Sequence, residues 1–272
     1  MALPTHPVVR KQVYKDRKSA EEELPVIRNI LSNFNLKVNE AKTEITEVSR
    51  TKDDWRKVKK LGSLLDCKED VKRRKNLASA AFNNMYAIFV RRKNISKERL
   101  IHLYNAVVLP ILIYNSGTWG LTQQSLNTLD TFHRKHLRHI LGFRWEDKID
   151  NYTLYYTAKS SPISTQIKSA RWRLFGHILR RDNAIPAQQA MRQYFRPGTK
   201  KYPGRKPINL PTTLDNDIRQ ATPYTDHTYT LPRPGRQLKN TTDLNFLQAS
   251  AQDRDNWNSV LKEEWQADTR DS

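Results

Sequence analysis

Adjacent carboxylates and evenly spaced histidines are the residues of this chain whose types could hold metal ions. Phosphoryl transfer between nucleotides needs two metal ions bound by carboxylates that meet in space. Asp53 and Asp54 are neighbours in a charged turn, but no third carboxylate on an apolar strand precedes them. We therefore interpret this pair as a solvated hairpin tip and predict no catalytic residue there.

His133, His136 and His139 recur at spacings of three, which brings side chains to neighbouring positions on a helix. The third imidazole is rotated well away from the first, and no cysteine or carboxylate completes a ligand set. Three cations are interspersed with the histidines: Arg134, Lys135 and Arg138. We predict a basic helix face that contacts phosphate or solvent, with no bound metal.

Basic residues outnumber acidic ones, 48 to 28, which gives the chain a formal net charge of +20. That excess favours a polyanionic partner, and nucleic acid is the first to consider. A membrane is less favoured, because no apolar stretch approaches the roughly 18 residues of a span. Cys67 is the only cysteine, which excludes a disulfide framework and a cysteine-rich zinc site. We expect nucleus or cytoplasm as the location, and no signal peptide.

Basic clusters recur along predicted helices whose opposite faces are apolar, so we predict that the cations face outward. Such a surface would hold a phosphate backbone without reading sequence, and its binding would weaken steeply with salt. The cations expected to contact nucleic acid are Lys72, Arg73, Arg74, Arg91, Arg92, Lys93, Arg134, Lys135, Arg138, Arg171 and Arg173. Three tryptophans could stack on bases but are expected in the core or at its edge: Trp119, Trp145 and Trp172.

The spacing of apolar residues predicts a mainly α fold with one small antiparallel β-hairpin near the N-terminus. A first helix is expected to begin at a capping box formed by Ser19 and Glu22. Three apolar segments after it predict strands: 36–38, 44–48 and 58–65. The predicted later helices cover 71–89, a segment from Ser96 that Pro110 kinks or interrupts, 123–141 ended by Gly142, about 163–180, and 244–265 docked on the helical body.

Composition and element order divide the chain into five regions. They are a flexible N-terminus (1–18), a helix plus hairpin (19–66), a helical body (67–195), a disordered basic linker (196–240) and a closing helix with tail (241–272). The linker is rich in proline and glycine, and one helical turn is expected within it around 213–221.

Many short motifs occur in the order in which one protein family carries them. They include NLKVN at 35–39, KTE at 42–44, WR at 55–56, KLGSLL at 60–65, LPIL at 109–112, ILG at 140–142 and FGH at 175–177. From about residue 24 onward the chain thus resembles the C-terminal part of the reverse transcriptase of non-LTR retrotransposons. The specificity lies in the order of the motifs rather than in any one of them.

The resemblance implies a partial palm over 19–66 and a thumb and post-thumb region over 67–195. It places Lys42 near an incoming nucleotide, and Leu61 and Gly62 near a primer end, so these three join the expected nucleic-acid-binding residues. The family's Tyr-x-Asp-Asp loop would lie just upstream, where this chain reads Tyr14-Lys15-Asp16-Arg17. A polymerase without both carboxylate positions cannot hold its metals.

We therefore expect binding to RNA, DNA or an RNA–DNA hybrid, with no polymerase activity by this chain alone and no cofactor. Mg²⁺ would be implied only for an intact parent enzyme. A helical structural or protein-interaction module, whose charge serves solubility, is the alternative from another class. A polymerase part completed in trans and a fragment that does not fold stably also stay open.

Overall fold

The computed structural model of this protein describes residues 14, 16–48, 51, 53–90, 95–195, 210–220, 241–255 and 257–258. For 42, 90, 194, 215, 218–220 and 241–243 it describes the backbone only. The chain divides into two units, Met1–Glu69 and Asp70–Ser272. The described residues are mainly α-helical with one two-stranded antiparallel sheet, which confirms the predicted fold class.

Helix α1 (Arg17–Asn33) opens the described part of the first unit. A carboxylate oxygen of Asp16 accepts the Ser19 backbone N–H at 2.8 Å, so Asp16 is the N-cap. The predicted capping box at Ser19 is wrong, because the Asp16 carboxylate already satisfies that end of the helix. A 3-10 turn follows at Glu40–Lys42. Arg28 of α1 forms an ion pair with Glu40 of this turn at 2.8 Å.

A short hairpin ends the first unit. Strands β1 (Lys59–Lys60) and β2 (Ser63–Leu64) pair antiparallel through a turn in which Leu61 and Gly62 have φ of 48° and 82°. Two positive φ values are typical of a type I′ turn, which matches the twist of a hairpin. The strands predicted at 36–38 and 44–48 are wrong, because no partner strand pairs with them among the described residues.

Helix α2 (Cys67–Met85) leads into the second unit and continues as a π-helical turn at Tyr86–Val90. The wider winding of that turn interrupts the predicted apolar face, and Ile88 and Phe89 are 50% and 36% exposed. Ser96 caps α3 (Lys97–Leu112) by accepting the Arg99 N–H, as predicted. Pro110 does not interrupt α3 but lies in its last turn.

Helix α4 (Gln123–Leu141) has the predicted bounds and ends at Gly142, whose φ of 74° suits glycine. Helix α5 (Asn151–Ala158) was not predicted, and α6 (Ile163–Leu179) follows nearly as expected. Helices α7 (Pro186–Tyr194), α8 (Leu210–Gln220) and α9 (Thr241–Gln252) complete the described part.

The interpretation of 196–240 as a linker is wrong for α8, which is a full helix rather than one turn. Leu210, Leu214 and Asp217 follow one another at spacings of four and three, and the last two are buried. Burial of that stripe stabilises a helix that the flanking prolines and glycines obscure in the sequence. The rest of the linker lies outside the described residues.

One apolar cluster of the second unit's core is built around α6. Its buried members are Trp172, Phe175 and Leu179 of α6, Met191 and Phe195 at α7, Leu214 of α8, and Leu244, Leu247, Ala251 and Trp257 at α9 and just beyond it. The Trp257 ring N–H donates to the Trp172 carbonyl at 3.3 Å. A Cβ at Gly176 would lie 2.5 Å from Trp257 Nε1, so only glycine allows this contact. The predicted docking of the closing helix is confirmed.

A buried polar chain joins four parts of the second unit. Arg171 of α6, 4% exposed, donates to the Asp217 carboxylate of α8 and, at 3.3 Å, to the Trp119 carbonyl. The Trp119 ring N–H donates in turn to Asp70 of α2 at 3.1 Å.

Among the described helices, none has a stretch long and apolar enough to cross a lipid bilayer.

Replacing Arg171 by Leu should lower the free energy of unfolding by about 3–5 kcal/mol, because the Asp217 carboxylate would stay buried without its cation. The matched control is Arg173→Leu, two residues along α6 on an exposed position, which should change stability by about 0.5 kcal/mol or less. Urea denaturation followed by far-UV circular dichroism measures both. Equal midpoints for the two variants would contradict a structural role for the ion pair.

Candidate nucleic-acid interface

The predicted nucleic-acid-binding residues differ in how far their side chains are exposed to solvent. Lys72, Lys135 and Arg173 are exposed, Arg73, Arg134 and Arg138 are half-buried, and Arg74 and Arg171 are buried. Arg91, Arg92 and Lys93 lie outside the described residues, as does the side chain of Lys42. Leu61 and Gly62 form the hairpin turn of the first unit, and Leu61 is 71% exposed there.

The prediction that every helical cation faces outward is wrong for Arg171. Its position, four residues from both Ile167 and Phe175, places it in the buried stripe of α6. A guanidinium is tolerated there because Asp217 and the Trp119 carbonyl accept its hydrogen bonds. The four-residue spacing was visible in the sequence and could have identified this cation as internal.

Arg74 is the second exception, with 7% of its surface exposed. It stands four residues from both Asp70 and Ala78, which are buried on the same face of α2. Its guanidinium lies 4.3 Å from the centre of the Tyr114 ring and 3.7 Å from the Asp70 carboxylate. Burial lowers the pKa of Arg74, and the nearby carboxylate opposes that effect.

Ring contacts align α2 and α4 side by side in the same direction. Lys75 Nζ lies 5.5 Å from the centre of the Phe132 ring. Further along, the Phe82 ring stacks on His136 at 4.0 Å between centroids, and Tyr86 meets His139 at 4.4 Å. Lys135 follows Phe132 by about one helical turn and so lies on the side of α4 near Lys75, whereas Arg138 is hydrogen-bonded to Ile149 and Asn151.

The acidic residues of α4, and of α2 from Asp70 onward, are internal, whereas Glu69 earlier in α2 is half-buried. From Asp70 onward α2 has no other acidic residue, and Asp130 is the only one in α4. Both carboxylates are buried, at 1% and 7% exposure. The solvent-facing charges on α4, and on α2 from Asp70 onward, are therefore all positive. We call Lys72, Lys75, Arg134, Lys135 and Arg138 the α2–α4 cationic face.

Asp130 is a structural residue that sequence reasoning did not identify. Its side chain accepts the Ser164 backbone N–H at 2.9 Å, at the start of α6. Pro162, the N-cap of α6, has no side chain that could accept such a bond. Asp130 therefore caps a helix from another element, and this role was not visible from local spacing.

The histidine prediction is wrong for two of its three residues. His133 and His136 are buried, and the Tyr104 hydroxyl lies 2.9 Å from His133 Nδ1 and 3.5 Å from His136 Nδ1. Burial lowers the pKa of His133 to about 3 and that of His136 to about 4. Both imidazoles are therefore neutral near pH 7 and do not contact phosphate, whereas His139 is exposed.

The candidate metal ligands are dispersed. Among the described residues, no group of three or more His, Cys, Asp or Glu side chains is placed to hold a metal ion. Asp53 and Asp54 are exposed, and the Asp53 carboxylate accepts a hydrogen bond from Arg56 at 2.7 Å. Their predicted exposure to solvent is confirmed, but the interpretation as a hairpin tip is wrong, because Asp54 begins a 3-10 helix (Asp54–Lys57) and the hairpin turn lies at Leu61 and Gly62.

The tryptophan prediction is confirmed for Trp119 and Trp172, which are 3% and 0% exposed. It is wrong for Trp145, which is 85% exposed in the 3-10 turn at Trp145–Asp147. That turn lies between the glycine that ends α4 and the start of α5, and the described residues leave the indole ring largely uncovered.

The buried histidines predict that stability falls with pH between about 6.5 and 5. An unfolded chain binds a proton at each imidazole with a pKa of about 6.5, whereas the fold depresses these pKa values to about 3 and about 4. Protons therefore bind preferentially to the unfolded state, which costs about 1.4 kcal/mol per pH unit for each neutral imidazole. The stability contribution is present above pH 6.5 and is lost as the pH falls.

Urea denaturation at a series of pH values measures this slope. His133→Gln should reduce the slope, because the variant has one buried imidazole fewer to protonate. The control His177→Gln, at an exposed position of α6, should leave the slope unchanged. A wild-type stability that is constant between pH 6.5 and 5 would exclude the buried neutral state.

Comparisons of the chain with protein-family models, with curated proteins and with solved structures find no match. The resemblance to non-LTR reverse transcriptases therefore rests on the order of the sequence motifs and stays a prediction.

Proposed function

We propose that this protein binds nucleic acid through the α2–α4 cationic face. The observation that carries the proposal is the sign of the solvent-facing charges on α2 from Asp70 onward and on α4, all of which are positive. A phosphate backbone is the polyanion that a row of such charges fits, and the displacement of its counterions supplies the binding free energy. The net charge of +20 would speed the encounter.

The side chains on this face favour contacts with phosphate over contacts with base edges. Lys72 and Lys135 are exposed ammonium groups on long, flexible stems, which act as point charges. Arg138 is held in place, because its guanidinium donates to the Ile149 carbonyl at 3.3 Å and to Asn151 at 3.0 Å. We expect binding that depends little on sequence and strongly on salt.

We also propose that the chain derives from the C-terminal part of a non-LTR reverse transcriptase and acts where nucleic acid is found, in the nucleus or cytoplasm. The ordered motifs and the hairpin that presents Leu61 and Gly62 support this origin. Asp16, the single aspartate where the family has two, caps α1 with its carboxylate. We therefore propose that this chain alone does not extend a primer.

A protein-interaction module is the second candidate, and the surface of α1 favours it. Val26, Ile30 and Phe34 follow one another at spacings of four and are 56%, 48% and 68% exposed. An exposed apolar stripe of this kind is typical of a surface that binds another protein. Analytical ultracentrifugation would detect self-association, and Ile30→Glu should abolish it if this stripe is responsible.

Reversing two charges on the cationic face should weaken nucleic-acid binding by about tenfold or more. Lys72→Glu with Lys135→Glu removes two phosphate contacts and adds two repulsive charges, which should also lower the salt slope of binding by about two. Fluorescence anisotropy with a labelled RNA–DNA hybrid across a salt series measures both quantities. The control, Lys18→Glu with Arg181→Glu, makes the same change of charge at two exposed sites on other segments.

Equal losses in the two double variants would show that net charge alone drives binding, and would contradict the assignment to this face. No binding by the wild-type chain at low salt would overturn the proposed function and favour the protein-interaction module.

Primer extension provides a separate test. With template, primer, nucleotides and Mg²⁺, the chain should give no extended product, because the paired carboxylates that hold the two metals are not provided at the matching position. Template-dependent extension by the purified chain would overturn this part of the proposal.

A further inference from the structure

Three exposed aromatic rings lie in the segment that follows α4. Trp145 and Tyr156, 85% and 76% exposed, are the two most exposed large hydrophobic side chains of the described residues, and Tyr152 is 42% exposed. Water solvates such rings poorly, and most proteins bury them. Their exposure in one short segment therefore indicates a binding surface.

Arg138 forms hydrogen bonds with both ends of the loop between α4 and α5. Its carbonyl accepts the Phe143 N–H at 3.0 Å, and its guanidinium donates to the Ile149 carbonyl and the Asn151 side chain. The loop that contains Trp145 is thus hydrogen-bonded to the last turn of α4. Tyr152 follows directly after Asn151, which Arg138 contacts. Arg138, a cation of the α2–α4 cationic face, is thus hydrogen-bonded to the segment that carries the aromatic rings.

The two tyrosines form a ladder on α5. Tyr152 and Tyr156 are one turn apart, with ring centroids 6.4 Å apart and ring planes inclined by 18°. Nearly parallel rings on one helix face present planar surfaces in series, which is the arrangement on which successive bases stack. The short helix α5 also keeps the spacing of the rings fixed.

Two of the carboxylates in this segment are engaged with the backbone. Asp147 accepts the Arg144 N–H at 2.6 Å, and Asp150 accepts the Thr153 N–H at 3.3 Å as the N-cap of α5. Hydrogen bonds from the Thr153 side chain and from backbone N–H groups lower the pKa of Asp150 and keep its charge at the helix N-terminus. A third carboxylate, Glu146, is exposed next to Trp145.

We propose that Trp145, Tyr152 and Tyr156 form a stacking site for the unpaired bases of single-stranded nucleic acid. The inference rests on the proposed nucleic-acid binding and identifies unpaired bases as the part that is recognised. Bases within a duplex are stacked on one another and present only their edges, whereas those of a single strand present their faces. Arg138 would hold the phosphate next to the stacked bases.

The test compares a labelled single-stranded oligothymidine with a duplex of the same length by fluorescence anisotropy, at one salt concentration. Replacing Trp145, Tyr152 and Tyr156 together by Ala should weaken single-strand binding by at least about tenfold, since each lost stack contributes severalfold or more. Duplex binding should change by less than about twofold. The control is Phe246→Ala, an aromatic residue on α9 that is 48% exposed.

A second variant separates stacking from folding. Trp145→Phe with Tyr152→Phe and Tyr156→Phe keeps three aromatic faces without the indole and hydroxyl groups, and it should retain single-strand binding within a few-fold. The salt slope of the triple alanine variant should equal that of the wild type, because the lost contacts carry no charge.

Equal weakening on single strand and duplex, or no weakening on either, would overturn the stacking site while the proposed function stood. A wild-type chain that binds neither probe at low salt would overturn both proposals. Unchanged single-strand affinity in a triple alanine variant that has lost wild-type self-association would assign the rings to a protein interface instead.

Discussion

The buried guanidinium of Arg171 is the constraint on which the packing of the second unit depends. A cation out of water is stable only where acceptors replace its hydration, and here they come from α8 through Asp217 and from the Trp119 carbonyl. Trp119 in turn bonds Asp70 of α2. Four parts of the chain must therefore take their places together, or a charge is left without a partner.

Close backbone approach makes this arrangement possible. A Cβ at Gly117 would lie 2.8 Å from the Ala170 carbonyl oxygen, so the turn that precedes Trp119 can pack against α6 only with glycine at that position. Gly176 of α6 likewise allows the close contact with the Trp257 ring. Helix α6 is thus approached by a turn at Gly117 and by a tryptophan ring at Gly176, and each contact needs a residue without a side chain.

The buried carboxylates and histidines also explain why the exposed charges of α4, and of α2 from Asp70 onward, are positive. Because Asp70 and Asp130 bond inward to Trp119 and Ser164, no exposed carboxylate lies on α2 from Asp70 onward or on α4. Because His133 and His136 stay neutral in the core, α4 can be a central packing helix and still carry cations on its outer side. The proposed phosphate contacts and the proposed stacking site meet at Arg138, which is fixed by its bonds to the segment that presents the aromatic rings.

Capping and helical periodicity are local, so the helical class, the bounds of α4 and the caps at Ser96 and Gly142 could be predicted from the sequence. A hairpin was predicted as well, but its turn at Leu61 and Gly62 falls inside the predicted strand 58–65, and the other two predicted strands did not form, since a strand needs a partner that no local pattern supplies. The net charge likewise follows from the composition, and the basic clusters follow from the order of the residues.

Whether a charge lies on the surface or in the core depends on tertiary packing. Helical spacing places Arg171, but not Arg173, on the apolar stripe of α6, yet Arg171 can be buried there only because Asp217, 46 residues away, accepts its hydrogen bond, while Arg173 is exposed. The same division separates buried Trp172 from exposed Trp145. The reason is physical: burial of a charge or a ring depends on partners from distant segments, and their positions exist only once the helices have packed.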